Sequence, residues 1–104
     1  MAWAILTLAG LLEIVWALAL KESHGFTKLW PSVIGVFFSA LSFVLLTFAL
    51  RDVPVGTGYA VWVGIGAAGV VVAGIVTGEA ASAARIACIV AIIGGVVGLR
   101  LLEA

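Results

Sequence analysis

The chain has 104 residues, of which 65% are hydrophobic, and its formal net charge is zero. A soluble domain of this size exposes about half of its residues to water and cannot hide so much apolar side chain, so the composition points to an integral membrane protein. A balanced charge leaves no basic patch to neutralise phosphates, which argues against nucleic acid as a partner.

The first apolar segment runs from about Ala2 to Leu20. No Lys or Arg precedes it, Glu13 interrupts it, and three more apolar segments follow, so it is expected to be a retained span and not a cleaved leader. Glu13 is the only charge inside an apolar run. Insertion scales put the cost of a comparable Asp at mid-span at roughly 2.5–3.5 kcal/mol, so such a carboxylate reads as an ion or substrate site. Trp3 falls near the expected membrane interface, whereas Trp16 lies well inside the span.

A polar loop opens at Lys21-Glu22-Ser23-His24-Gly25 and closes at Trp30-Pro31. The lone His24, beside a glycine, reads as a turn residue, and Pro31 suits the first turn of a helix. The second span is expected from Ser32 to Leu50, carrying Ser39 and Ser42 at helical spacing. Arg51-Asp52-Val53-Pro54-Val55-Gly56 is a short turn, and the third span follows from Thr57 to Thr77 with Tyr59 and Trp62 on one face. Gly78-Glu79 opens the last loop before a fourth span from Arg85 to Leu102. These segments make one four-helix transmembrane domain over residues 1–104, an all-α membrane protein. Cys88 is the only cysteine, which excludes an intrachain disulfide or a cysteine metal cluster. Neither a metal nor a cofactor is expected.

Lys21, Glu22, Lys28, Arg51, Asp52, Glu79, Arg85, Arg100 and Glu103 all fall in loops or at span ends. Four spans place Arg51 and Arg100 on one side, with Lys21, Lys28 and Arg85 on the other. Two against three gives almost no positive-inside bias and no firm orientation: either this small bias suffices, or the chain inserts both ways and pairs with an inverted copy of itself. Four short helices are expected to form a bundle with little room for a solvated cavity. Transporters commonly enclose a midplane site between inverted repeats, and an inverted partner would supply the missing half. The fourth segment offers small residues at four-residue spacing, Ala87, Ala91 and Gly95, together with Gly94 and Gly98, for packing within the chain or between copies.

Helical neighbours lie three and four positions apart, so Glu13 shares its face with Ala9, Gly10, Trp16 and Ala17. Gly66 continues the Tyr59–Trp62 face. At about 1.5 Å per residue, Glu13 lies roughly 17 Å into its span and Ser42 roughly 12 Å from the same side. A carboxylate among aromatic rings suits a cation, and the serine, tyrosine and indole groups could also hold the carboxylate in place. Where a proton and a cation compete for one carboxylate, loading one expels the other.

The stretches Gly10-Leu11-Leu12-Glu13-Ile14-Val15-Trp16-Ala17, Gly25-Phe26-Thr27-Lys28-Leu29-Trp30-Pro31-Ser32 and Gly56-Thr57-Gly58-Tyr59-Ala60-Val61-Trp62-Val63-Gly64-Ile65-Gly66-Ala67 resemble the small multidrug resistance family, and within it the guanidinium exporters. The resemblance covers essentially the whole chain. It implies a proton-coupled antiporter, not an enzyme, that exports guanidinium across the bacterial inner membrane as an antiparallel, dual-topology homodimer. Glu13 would bind proton and substrate; Trp16, Ser42, Tyr59 and Trp62 would line the site and hydrogen-bond around it. Gly64 and Gly66 match a bend in the third helix, and Gly94 and Gly98 match the dimer contact. Gly58 and Arg100 stand where the family more usually has alanine and lysine. Rival readings are a polyspecific exporter of quaternary ammonium cations, a dual-topology ion channel, and one half of a paired heterodimer.

Overall fold

Four α-helices carry the apolar segments in the computed structural model, which describes residues 1–102. They are α1 (Ala2–Glu22), α2 (Leu29–Ala49), α3 (Val55–Val76) and α4 (Ala83–Leu102). Each is long and apolar enough to cross a membrane. Glu103, expected at the end of the last span, lies outside the described residues.

Several ends differ from the hydropathy limits, because the hydrogen-bond ladder continues through residues that hydropathy counts as loop. Lys21 and Glu22 belong to the last turn of α1. α2 starts at Leu29, which puts Pro31 in its first turn, where the amide hydrogen that proline lacks would have no partner inside the helix. Pro54 is the N-cap of α3, and its carbonyl accepts from the Gly58 amide at 2.8 Å. Ser82 caps α4, its Oγ accepting from the Arg85 amide at 3.1 Å.

The α1–α2 turn is the most constrained part of the backbone. His24, Gly25 and Phe26 all have positive φ, at 49°, 74° and 67°. Two of them bear side chains, and a left-handed conformation costs such residues roughly 1–3 kcal/mol each. The buried Ser23 offsets that cost. Its hydroxyl donates to the Leu20 carbonyl at 2.6 Å and accepts from the Phe26 amide at 3.1 Å. Its carbonyl accepts from the amides of Thr27 and Lys28 and from the Thr27 hydroxyl.

Burial then sets the packing order. α1 touches both α2 and α3, α4 packs chiefly on α3, and α2 meets α3 over a short stretch. The core, made of Leu6, Ala9, Leu46, Ala49, Val61 and Trp62, lies where the start of α1, the end of α2 and the start of α3 converge. The result is a flattened arrangement of the four helices, 42 × 35 × 17 Å. The reason is α4: among the described residues it buries only Ile89, and its ends are tied by polar contacts instead. At one end the Arg85 guanidinium meets the Glu79 carboxylate at 3.1 Å and the Ala80 carbonyl at 3.0 Å. At the other, Arg100 lies 5.0 Å from the ring centre of Trp3. Phe37, Phe48, Val90 and Val97 stand open on the outside, a surface suited to lipid or another chain.

Gly58 is buried beneath Leu50 and Val53 at the start of α3. An added Cβ there meets chiefly the far end of the flexible Leu50 side chain. Gly58→Ala is therefore expected to stabilise the chain by up to about 1 kcal/mol in reversible unfolding from mixed micelles. A net loss of stability would show that Leu50 cannot move aside.

Candidate functional site

α1 and α3 cross where glycine on one helix admits a side chain from the other. A Cβ on Gly10 would come within 2.8 Å of Ile65, and one on Gly66 would collide with the Glu13 carboxylate. Ile14 lies over Gly69 in the same way. Glu13 thus reaches the backbone of α3 because no side chain at position 66 stands between them. Its Oε2 is buried and has no hydrogen-bond partner among the described residues. One turn further along α1, the Trp16 indole Nε1 is also buried without a partner.

Two of the polar groups expected beside Glu13, Ser42 and Trp62, are bonded to each other. Trp62 Nε1 donates to Ser42 Oγ at 2.9 Å, and the Ser42 hydroxyl donates to the Ala9 carbonyl at 2.8 Å. In a regular helix that same carbonyl accepts from the Glu13 amide, so Ser42 is fastened to the turn that carries the carboxylate. Ser42 therefore bridges helices and does not bond back to its own. The depth estimate explains why: Ala9 and Ser42 sit within about one residue rise of each other, measured from the same side. Ser39 does not take part, since its hydroxyl donates to the Val36 carbonyl one turn back in α2.

Aromatic rings complete this wall. Trp16 stacks on Phe43 at 6.4 Å between centres, Phe43 meets Trp62 at 5.1 Å, and Trp62 meets Tyr59 at 5.6 Å. The line runs from α1 across α2 to α3, with Tyr59 half exposed at its end. Trp16, Ser42, Tyr59 and Trp62 are therefore brought into one connected group next to Glu13, while Gly10 forms part of the α1–α3 crossing. Gly64 and Gly66 lie in an unbroken α3, and a Cβ on Gly64 would come within 2.7 Å of Val96 in α4. Gly94, Gly95 and Gly98 face open space, with nothing inside 4 Å of an added Cβ. Packing within the described chain therefore does not use them.

Residues 1–93 match the family described as Small Multidrug Resistance protein. The chain belongs to that family. Among relatives of known name, it is 53% identical over 102 residues to a guanidinium exporter of Yersinia pseudotuberculosis, covering 97% of this chain and 98% of that protein. It is 52% identical over 102 residues to a guanidinium exporter of Escherichia coli, covering 97% of each. A guanidinium exporter of Salmonella typhimurium is 50% identical over the same length, again covering 97% of each.

In this small multidrug resistance chain, sequence reasoning overlooked Phe43 and the Ala9 carbonyl. Phe43 had a signal: Ser39, Ser42, Phe43 and Leu46 follow the i, i+3, i+4, i+7 pattern of one helix face. The Ala9 carbonyl had none, because a backbone acceptor leaves no mark on residue identity. Two apolar grooves, of about 670 and 500 Å³, flank α3, and neither is lined by Glu13. The carboxylate is half-buried in the wall where α1 meets α3.

Ser42→Ala strands the Trp62 indole N–H and removes the tie to α1. The expected loss is about 1 kcal/mol of unfolding free energy. Trp62→Phe should then cost less in the Ser42→Ala background than in the wild type, and equal costs would mean that the two groups are energetically independent.

Proposed function

We propose that the chain exports guanidinium across the bacterial inner membrane in exchange for protons, as an antiparallel homodimer in which each copy contributes Glu13. The observation that carries this reading is the buried Glu13 Oε2, unpartnered within the described chain and placed against bare α3 backbone. A planar guanidinium can give a carboxylate two parallel N–H···O bonds, which suits a site whose acceptor capacity is unspent. Trp16, Tyr59 and Trp62 supply aromatic surface for a cation, and Ser42 fixes the turn that carries the carboxylate. The relatives named for guanidinium export, at about half identity over nearly the full length, support the same substrate.

A second copy is part of this reading for three reasons. Glu13 is only partly buried within the single chain, the loop charges are nearly balanced, and the Gly94–Gly98 face of α4 meets no other part of the described chain. Two identical chains in opposite orientations can exchange roles, so the inward-open and outward-open forms share one structure. Gly64 and Gly66 are the points in α3 where the helix would bend during that exchange. Protonation of the two Glu13 carboxyls from outside would displace guanidinium, and guanidinium from inside would displace the protons.

In proteoliposomes with an imposed pH gradient, Glu13→Gln is expected to abolish proton-driven guanidinium transport, since the amide can neither release a proton nor pair with the cation. Retained coupled transport would overturn the assignment. The same assay with tetraalkylammonium ions distinguishes a polyspecific exporter, and saturable, pH-coupled flux distinguishes either from a channel. Gly98→Leu should leave the fold of each chain intact, because the added side chain points into open space, yet weaken self-association in micelles. An unchanged dimer would place the contact between copies elsewhere.

A further inference from the structure

The α1–α2 turn has features that guanidinium transport does not use. Its backbone is held left-handed over His24, Gly25 and Phe26, with Ser23 fixing it through hydrogen bonds from both hydroxyl and carbonyl. That conformation displays Phe26 at 63% exposure beside Leu29 at 70% and Trp30 at 71%. Side chains this apolar are disfavoured in water, and the turn that Ser23 holds together keeps all three of them on the outside. Lys21 and Lys28 flank the same turn, and no ion pair engages either of them among the described residues. The α2–α3 turn is built differently: it carries no aromatic residue and tucks Val53 into the interior.

We propose that the α1–α2 turn is an interfacial anchor. It seats Phe26, Leu29 and Trp30 in the headgroup layer of an anionic phospholipid leaflet, with Lys21 and Lys28 directed at lipid phosphates. Two observations select lipid as the occupant. The apolar patch continues into the open face of α2 through Val33 and Phe37, which already needs a lipid-like environment. The unpaired lysines provide charge complementary to anionic headgroups, and cations near such a surface gain from its potential. Ser23 is the positioning residue, because it fixes the turn that presents the anchor.

Two measurements on the full-length protein test this. The first is thermal unfolding in vesicles of phosphatidylcholine with phosphatidylglycerol, comparing wild type with Phe26→Asn. Asparagine tolerates the left-handed backbone better than phenylalanine, so a turn standing in water should gain stability from the change or be unaffected. An anchored turn should lose stability instead, and an unchanged or higher midpoint overturns the proposal. The second measures the preference of spin-labelled phosphatidylglycerol over phosphatidylcholine for the protein surface. Removing both charges, in Lys21→Gln/Lys28→Gln, is expected to reduce that preference by up to about fivefold per lysine. An undiminished preference overturns the lipid-phosphate role. Dissociation of the dimer by Phe26→Asn without any lipid dependence would assign the patch to contact between copies.

Discussion

Where α1 crosses α3, each helix leaves bare backbone for a side chain of the other: Ile65 over Gly10, Glu13 over Gly66 and Ile14 over Gly69. Dispersion between packed atoms, and not the expulsion of water, holds helices together in lipid, so a close approach of backbones is the main source of cohesion here. The same approach decides where the charge goes. A larger residue at position 66 would force the Glu13 carboxylate out of the seam. Cohesion and the placement of the carboxylate thus depend on the same glycine.

The core that steadies this crossing lies entirely to one side of it, where Leu6, Leu46 and Val61 converge. Beyond the carboxylate lie contacts outside that core, such as Leu20 against Gly35. α4 is attached more lightly still, by the packing of Ile92 and Val96 near Gly64 and by its two polar end contacts. A core gathered at one end leaves the other end freer to tilt while the core keeps its packing. That fits a protein whose proposed cycle exchanges the roles of two copies.

Much of this was legible in the sequence. Apolar length alone marked four helices, the punctuation of Lys21–Gly25 and Arg51–Gly56 separated them, and the expense of Glu13 singled it out. Spacing also put Trp16 on the face of Glu13, Ser42 at a comparable depth, and Tyr59 and Trp62 on one face of the third span. Sequence could not show which atoms would pair. Ser42 was a candidate to hold the carboxylate, but it is Ala9 that accepts its proton and Trp62 that donates to its oxygen. Nor did the pattern show that α4 would stand apart, because a glycine facing a neighbour and a glycine facing open space are the same letter. The left-handed turn was equally hidden, since Phe26 carries none of the propensity that marks such a conformation and only the Ser23 hydrogen bonds make it tenable.

The Ala9 carbonyl has a consequence for watching the protein at work. It accepts from the Ser42 hydroxyl while serving the helical ladder of α1, so both of its lone pairs are engaged one turn before Glu13. A carbonyl with two donors vibrates at lower frequency than its singly bonded neighbours. An isotopic label on this one peptide group would therefore stand apart in the infrared spectrum. Any rearrangement that pulls Ser42 toward the carboxylate would free the carbonyl and raise its frequency. The backbone of α1 thus carries an internal optical gauge of the site, one that needs no foreign probe.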